Sequence, residues 1–262
     1  MSQLASSQSI TSYMHNVDKY DRNANISEII ETTIFYNSNG VKKEIEYKNF
    51  NSSMNLTSLK RFNNENKLIL LIIYQYDSLQ REVRIDKKQW VNVLGYQSEY
   101  SIYQYDSLNK FVQIDYNSQK QILNISRYHL DENFNLIRLE IYTANGDLIG
   151  YETASYDSDN NKMTIKQYNK QDKLINSKDG PIKSGDVYKQ KSTNQYNEKG
   201  DLIYWEGGRK GNDKVCYTTD YKYDKKGNWI SEKRYSYIKT EQGKLKRRNL
   251  EMVKRRKIKY NE

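Results

Sequence analysis

Tyr223-Asp224-Lys225-Lys226-Gly227-Asn228-Trp229 carries the pattern on which most of this chain is built. The pattern is an aromatic residue, Asp or Asn, two polar residues, a turn residue, a spacer and a large apolar residue. Asp at the first position and Gly at the fourth suit a type I turn, because the Asp side chain bonds its own backbone and Gly accepts positive φ. In a hairpin with a bulge at the Gly, Asp224 faces Asn228 and Tyr223 faces Trp229. The pattern therefore predicts stacked partners six residues apart in every copy.

The unit recurs thirteen times, and Asp or Asn follows the first residue in twelve copies, Thr143 being the exception. The copies begin at Tyr20, Tyr36, Phe50, Phe62, Tyr76, Tyr105, Tyr116, Leu130, Tyr142, Tyr156, Tyr168, Tyr196 and Tyr223. In ten copies the residue six positions later is large and apolar, namely Ile26, Leu56, Leu68, Phe111, Ile122, Leu136, Leu148, Leu174, Leu202 and Trp229. Val41 comes one position early, and Val83 and Met163 come one position late. A fixed repeat of this kind indicates a repeat architecture.

The spacing of the units predicts an all-β fold, an antiparallel meander of hairpins that forms a long, twisted or curled sheet. Most successive units lie 11 to 16 residues apart, which leaves strands of about eight residues between turns. The longer gaps indicate degenerate turns near Trp90 to Gly95, Lys178 to Gly185 and Glu206 to Asp213. The one helix expected is a short piece near Ser27 to Thr32.

Two apolar stripes are expected on this sheet. Because most steps between units are even, the Tyr and Phe anchors should line one face. Doublets such as Leu136-Ile137 should place their second member on the opposite face, where Ile137, Leu139 and Ile141 continue a second stripe. A sheet with apolar residues on both faces must curl or be covered.

Composition divides the chain into a flexible N-terminal arm at 1–17, a repeat sheet at 18–243 and a basic strand or tail at 244–262. The net charge is +10, and the last segment contributes +7 of it through nine Lys or Arg and two Glu. Hydrophobic residues make up 36% of the chain, and 25 residues are Tyr. This aromatic content and a single Pro favour an ordered β-rich fold, despite a mean hydropathy of -1.02.

The longest apolar run, Leu68 to Tyr74, is too short to be a membrane span. The first ten residues lack the charged and apolar regions of a signal peptide. We therefore expect a cell-surface, periplasmic or secreted protein whose signal has been removed, with a cytoplasmic protein as the alternative. The lone Cys216 excludes an internal disulfide framework.

The unit resembles the YD repeats of the RHS and teneurin-type family, whose hallmark is Tyr-Asp, two variable residues, Gly, a polar residue and an apolar residue. The stretch from Tyr223 to Trp229 matches best, followed by Tyr196 to Leu202. The resemblance implies a β-repeat sheet of the kind found in bacterial surface or secreted proteins and in toxin shells. It does not imply a self-cleaving shell, because the only proline, Pro181, follows Gly180 rather than Asp. The high content of Asn, Lys, Tyr and Ile is similar to that of proteins from Bacteroidota.

No reactive constellation is visible in the sequence. His15 and His129 lie far apart without Cys partners, so neither a metal site nor a His-activated nucleophile is signalled. Turn geometry explains the recurring Asp residues, and Gly207-Gly208 indicates a hairpin tip rather than a phosphate loop. We therefore expect no enzyme, no cofactor and no metal.

Two features could carry binding. Tyrosines two residues apart share one face and could hold a sugar or a protein, unless they pack the sheet; they are Tyr74, Tyr76, Tyr103, Tyr105, Tyr221 and Tyr223. Basic residues of the last segment, chiefly Lys246, Arg247, Arg248, Arg255 and Arg256, could contact an anionic partner. Alternatively, these charges protect a terminal edge strand. Tyr260 is the only aromatic residue among them, so no specific nucleic-acid signal is present.

The residues expected to carry structure are Tyr196, Gly200, Leu202, Asp224, Gly227 and Trp229. The function expected is that of a non-enzymatic binding or scaffold protein in a bacterial surface or envelope assembly, with a protein partner. A glycan or an anionic surface is an alternative ligand. The second hypothesis is a cytoplasmic immunity or antitoxin-like protein, and the third is a carbohydrate-binding or carbohydrate-active protein.

Overall fold

A computed structural model describes residues 9–15, 25–160, 162–182, 194–210, 213–240, 242 and 244–261. In this part of the chain the fold is all-β, with antiparallel strands and one short helix, so the predicted fold class is confirmed. The elements are α1 Ile10–His15, β1 Ile26–Asn37, β2 Gly40–Phe50, β3 Leu56–Phe62, β4 Leu68–Tyr76, β5 Glu82–Val91, β6 Gly95–Ser107, β7 Lys110–Asn117, β8 Ile122–Leu130, β9 Leu136–Thr143, β10 Leu148–Asp157, β11 Lys162–Asn169, β12 Leu174–Pro181, β13 Gln195–Tyr196, β14 Leu202–Lys210, β15 Asp213–Tyr223, β16 Trp229–Lys239 and β17 Leu245–Tyr260.

The strands belong to two compact units. Unit 1 comprises Met1–Lys19 and Tyr74–Gln190, and its strands pair in sequence order from β5 to β12. Unit 2 comprises Tyr20–Ile73 and Lys191–Glu262. Here β13 to β17 pair in sequence order, β17 pairs with β1, and the order continues to β4. Unit 2 therefore joins the first and last strands of the described chain within one run of paired strands.

The turn between β15 and β16 has the geometry predicted for the repeat. Asp224 Oδ1 accepts hydrogen bonds from the backbone N–H groups of Lys226 and Asn228, both at 2.9 Å. Gly227 has a φ of +88°, and Tyr223 lies opposite Trp229. The spacing of six is confirmed in eight further hairpins, by Phe50 with Leu56, Phe62 with Leu68, Tyr105 with Phe111, Tyr116 with Ile122, Leu130 with Leu136, Tyr142 with Leu148, Tyr168 with Leu174 and Tyr196 with Leu202.

In two of the three copies whose spacing differs from six, the aromatic residue also pairs with the apolar residue. Val41, one residue early, pairs with Tyr36, and Met163, one residue late, pairs with Tyr156. The copy that begins at Tyr20 lies outside the described residues at its first position. Among the degenerate turns, those predicted at 90–95 and 206–213 are confirmed by the β5–β6 and β14–β15 hairpins. For the third, residues 178–181 are the end of β12, and residues 183–185 lie outside the described range.

The predicted second stripe on β9 is wrong, because a bulge follows the anchor pair. Leu130 pairs with Leu136 and His129 pairs with Arg138, so Ile137 has no partner and the alternation of faces shifts by one residue. Leu136 and Leu139 are therefore both fully buried in one core, whereas Ile137 is 37% exposed.

The same bulges overturn the expectation that the anchors line one face. Tyr105 and Tyr156 pack against the core of unit 1. Tyr116 lies on the opposite face, because it is an odd number of positions from the buried Phe111 along β7. Leu130, an even fourteen positions after Tyr116, packs against the core again, because one bulge residue lies between them. When the number of residues from one anchor to the next is even, one of those residues is in a bulge. The second anchor then lies on the opposite face of the sheet from the first. Apolar anchors consequently occur on both faces, near alternate sets of turns.

The core of unit 1 is apolar and includes the helix. Ile10 on α1 is fully buried among sheet residues, and its backbone N–H donates to Glu152 Oε2 at 2.7 Å. The Tyr13 ring lies 5.7 Å from the Tyr128 ring. Residues 10–15 of the predicted N-terminal arm are thus the helix that packs on this sheet, while residues 1–8, 16 and 17 lie outside the described range.

The helix predicted near Ser27 to Thr32 is wrong, because these residues belong to β1. β-Branched residues predominate there, with Ile29, Ile30 and Thr32 in sequence, and such side chains suit a strand. The strand also pairs on both sides, with β2 and with β17. Tertiary pairing and local preference therefore agree on a strand.

Candidate functional site

The basic strand β17 is the centre of the candidate site, and it is an internal strand. It pairs with β16 on one side and with β1 on the other. The interpretation that its charges protect a terminal edge strand is therefore wrong. Alternation along the strand places Lys254 and Arg256 on one face and Arg255, Lys257 and Lys259 on the other.

The first face holds a buried ion network. Arg256 Nε lies 2.8 Å from Glu31 Oε2, and the Arg256 guanidinium lies 3.3 Å from the centre of the Trp229 ring. Lys254 lies between Glu31 at 4.0 Å and Glu232 at 3.9 Å. Glu31 and Glu232 are only 8% and 5% exposed. Arg256, predicted as a binding residue, is thus used inside unit 2.

The charge state of Glu31 follows from its neighbours. Burial alone would raise the pKa of this carboxyl group, but the positive charges of Arg256, Lys254 and Lys48 outweigh burial and hold its pKa below the ordinary value. Lys48 is itself buried and pairs with Glu46 at 2.7 Å. Every carboxylate of the network therefore has a basic partner, as buried charges require.

The opposite face of the same strands is strongly basic. Arg255 is aligned through Ser231 with Lys222, and Lys257 is aligned through Ile30 and Tyr47 with Lys60. We define the basic face as Lys43, Lys60, Lys222, Lys233, Arg255, Lys257 and Lys259. They span six adjacent strands, so at about 4.8 Å between neighbouring strands they are distributed over a width of about 24 Å.

Within the described ranges, most cations of the basic face form no ion pair, although the acidic Asp220 is aligned with Lys233 on the same face. Among the residues that the structure describes, Lys259 is the member of this set that forms an ion pair, with Glu28 at 2.6 Å. Arg255, Lys257, Lys60 and Lys222 are exposed. Side chains between them are partly aromatic, since Tyr47 and Phe62 meet edge to face at 5.7 Å. A surface of this kind attracts anionic partners over a distance of about one Debye length.

The predicted tyrosines of unit 1 pack in its interior. Tyr103 and Tyr105 contact the apolar core. Burial, with a smaller contribution from Glu82, raises the pKa of Tyr105 to about 12, and burial also raises the pKa of Tyr103. The Tyr105 hydroxyl donates to the Glu82 carbonyl at 2.9 Å. For these two residues the structure supports packing of the sheet over ligand binding.

Tyr221 and Tyr223 are also used within the sheet. The Tyr221 ring lies 6.2 Å from that of Tyr223 and 6.3 Å from that of Trp229. The Tyr223 hydroxyl donates to Asp201 and accepts from Asn197 Nδ2 at 2.7 Å, so it joins its own hairpin to the preceding one. Tyr260 repeats this link, because its hydroxyl donates to Asp224 and accepts from Asn228 Nδ2 at 3.0 Å.

The remaining candidates occupy less defined positions. Tyr74 and Tyr76 are half-buried on β4. Lys246, Arg247 and Arg248 belong to β17, and their side chains lie outside the described part of the structure. The structure therefore keeps Arg255 on an exposed surface and adds Lys60, Lys222 and Lys257, which the sequence did not single out.

Sequence reasoning also missed two layered stacks on the face of unit 1 opposite its core. Arg84 lies 4.3 Å from the Tyr100 ring, which stacks on Tyr116 at 4.7 Å. The second stack, Arg138 over Tyr151 over Tyr168, has distances of 4.0 and 4.8 Å. The sequence signal that could have predicted these stacks is an acidic residue two positions after each Arg. The guanidinium groups of Arg84 and Arg138 donate hydrogen bonds to Asp86 and Glu140. Both faces of each central ring are covered, so neither ring is free to stack on a sugar.

His129 and Cys216 occupy structural surroundings, and the side chain of His15 lies outside the described part of the structure. Burial lowers the pKa of His129, which lies 3.9 Å from Glu140. Cys216 is a buried free thiol whose sulfur accepts a hydrogen bond from Tyr204 at 3.3 Å. Within the described ranges, no group of three or more His, Cys, Asp or Glu side chains is placed to hold a metal ion.

No helix in those ranges is long and apolar enough to span a membrane.

Comparisons with known proteins give weak structural likenesses. No protein-family model matches the sequence, and no curated protein is significantly similar to it. A porin-like protein from Bacteroides uniformis ATCC 8492 has 12% identity and a TM-score of 0.42, over 89% of this chain and 96% of that protein. The crystal structure of TcdB2-TccC3 has 12% identity and a TM-score of 0.36, over 82% of this chain and 14% of the other. The Photorhabdus luminescens Tc holotoxin pore has 12% identity and a TM-score of 0.33, over 79% of this chain and 14% of that chain. No functional assignment rests on likenesses of this size.

Proposed function

We propose that the chain is a non-catalytic binding and scaffold protein of a bacterial surface or envelope assembly, and that the basic face of unit 2 is its docking surface for an acidic protein partner. The observation that carries the proposal is the alignment of unpaired cations across β15, β16, β17, β1, β2 and β3. Electrostatic repulsion among these cations raises the free energy of the unbound protein, and binding of an acidic partner would reduce this repulsion.

The internal structure of unit 2 supports a scaffold role. The ion network on the opposite face fixes β1, β16 and β17 relative to one another, through Arg256 to Glu31 and Lys254 to Glu232. The cations of the basic face lie on these same strands, so their relative positions are set before any partner arrives. A preorganised surface loses less entropy on binding. Surface or envelope location is supported by the resemblance of the hairpins to YD repeats.

Charge neutralisation tests the proposal. The variant K60Q/K222Q/R255Q/K257Q removes four exposed charges and keeps side chains of similar length. The control K120Q/K166Q/K170Q/K173Q removes four exposed lysines of unit 1. Each protein is used to capture partners from the native envelope fraction, and bound proteins are quantified by mass spectrometry. We expect the basic-face variant to lose at least about tenfold of the captured partner, because each surface charge contributes a few tenths of a kcal/mol or more.

Salt provides an independent readout of the same contact. Capture by the wild-type chain should fall as ionic strength rises, because exposed charges are screened. Equal capture by the basic-face variant and the wild type, or equal loss in the unit 1 control, would contradict the proposal. Recovery of the chain only from the cytosolic fraction of its native cells would contradict the envelope assignment.

A further inference from the structure

The tip of the β5–β6 hairpin in unit 1 exposes large aliphatic side chains to solvent. Val91 pairs with Gly95, so Asn92, Val93 and Leu94 form the loop. Val93 is 102% exposed relative to an extended reference, and Leu94 is 67% exposed. Burying such side chains would release considerable hydrophobic free energy, so this tip has the composition of a contact surface.

The backbone of the tip is also unfavourable for its residue. Val93 has a φ of 75°, in the left-handed region. Among the described residues with positive φ, Val93 alone is β-branched, and this side chain is the least suited to that conformation. Gly or Asn would occupy the position with less strain. A strained, fully exposed valine therefore indicates a role for the side chain itself.

Amphipathic side chains follow directly behind the aliphatic tip. The rings of Trp90 and Tyr96 lie 5.1 Å apart at an angle of 76°, and Tyr96 is 40% exposed. Lys88 Nζ lies 4.6 Å from the centre of the Tyr96 ring. From Lys87 to Ser98 the hairpin contains two lysines and no acidic residue. The order from the tip inward is thus aliphatic, aromatic, then cationic.

This order matches the layers of a lipid bilayer surface. Acyl chains accept aliphatic groups, the headgroup boundary favours Trp and Tyr, and phosphates attract Lys. Val93 follows Trp90 by three residues, a reach of at most about 10 Å along the chain, which is comparable with the depth of about 5–10 Å reached by interfacial segments.

We propose that this tip, defined as Lys88, Trp90, Val93, Leu94 and Tyr96, inserts into the outer layer of a bilayer that contains anionic phospholipids. A single tip buries little area, so its binding is weak and reversible by itself. The contact adds membrane attachment to the chain and uses none of the residues of the basic face.

Co-sedimentation of the full chain with lipid vesicles tests the proposal. The vesicles are phosphatidylcholine with and without phosphatidylglycerol. In the variant V93N/L94S, Asn tolerates the left-handed backbone, so the fold is retained. The control L79S/L108S removes two aliphatic side chains that are each 65% exposed on other turns. We expect the tip variant to lose at least about tenfold of its partitioning, the control to match the wild type, and phosphatidylglycerol to increase binding.

A spectroscopic readout separates insertion from surface adsorption. Lipids brominated on their acyl chains should quench Trp90, and the variant W90F should lose this quenching. The variant K60Q/K222Q/R255Q/K257Q should keep it. Failure of the wild type to bind either vesicle, or equal binding by the tip variant, would overturn the proposal. So would a loss of binding confined to the basic-face variant, which would place the lipid contact on the basic face instead of the tip.

Discussion

The two units use the same hairpin but fill their interiors differently. Unit 1 has an apolar core that includes Phe111, Leu136, Leu139 and Met163, with α1 packed on it. Unit 2 buries the charged side chains of Glu31, Lys48 and Glu232 beside apolar residues such as Ile26, Ile29, Met252 and Val253, whereas Glu152 is the one charged side chain among the buried residues described in unit 1. The comparison shows that the repeat sets turns and strand pairing, whereas residues between the turns decide what each face does. Burial of charge in unit 2 fixes strands whose other face can carry unpaired cations.

The largest effect expected from this comparison comes from removing one buried charge of unit 2. Glu31→Ala leaves Arg256 without a carboxylate partner and leaves Lys254 with Glu232 alone, which should lower the free energy of unfolding by about 3–5 kcal/mol. Urea denaturation followed by Trp fluorescence measures this change. The control is Glu44→Ala, since Glu44 pairs with a largely exposed Lys42 and should lose less than about 1 kcal/mol. Equal losses in the two variants would contradict the account of the network.

In unit 1 the corresponding substitution is one that creates a cavity in the apolar core. Leu139→Ala removes a fully buried side chain and should lower the free energy of unfolding by about 2–4 kcal/mol. The matched control is Ile137→Ala, two residues earlier on the same strand, which should cost less than about 1 kcal/mol. Urea denaturation of both variants is sufficient. A larger loss at Ile137 would show that the bulge does not exchange the faces.

The dependence on pH should distinguish the two interiors. The pKa of Glu31 is lower in the folded than in the unfolded chain, so the unfolded chain binds the proton first as pH falls. The stabilising contribution of Glu31 is then present above its ordinary pKa of 4.5 and is lost as pH falls through the folded value. Unfolding of the wild type and of E31Q should therefore converge at low pH. The difference between the wild type and L139A should stay constant over the same range, and a changing difference would contradict this assignment.

The smallest effect concerns a turn in each unit. Phe134 in unit 1 has a φ of 61°, whereas Gly200 in unit 2 has a φ of +83° at the same turn position. Phe134→Gly should raise the free energy of unfolding by about 1 kcal/mol, because Gly accepts the left-handed conformation. Gly200→Ala should lower it by a similar amount. Thermal unfolding of the two variants measures both changes, and shifts of the same sign would refute the common turn geometry.

The sequence was sufficient to predict what depends on local chemistry. An Asx residue and a positive-φ position three residues later define most of the turns, so the pairing of Tyr223 with Trp229 followed from residues close in sequence. The bulge after most anchor pairs was not foreseen, and in β9 it placed Leu139 and Ile141 on the core face with Leu136, while Ile137 stayed exposed. Residues at alternating positions could be assigned to faces only once that extra residue was known.

The candidate site was less predictable, because long-range pairing assembles it. Lys222, Arg255 and Lys60 come together only through pairing of β17 with β1 and β16. Nothing local in the sequence of β17 showed that it would be internal. Its basic residues were identified correctly as a charged segment, but their division between an ion network and an exposed face required the register.

Site-specific photo-cross-linking in native cells tests the central claim most directly. A photoreactive amino acid is placed at Lys257 on the basic face or, as the control, at the exposed Lys166 of unit 1. The account predicts one dominant protein adduct from position 257, recovered in the envelope fraction, and no such adduct from position 166. Adducts from position 166 alone, or none from position 257, would contradict the assignment of the basic face as the docking surface.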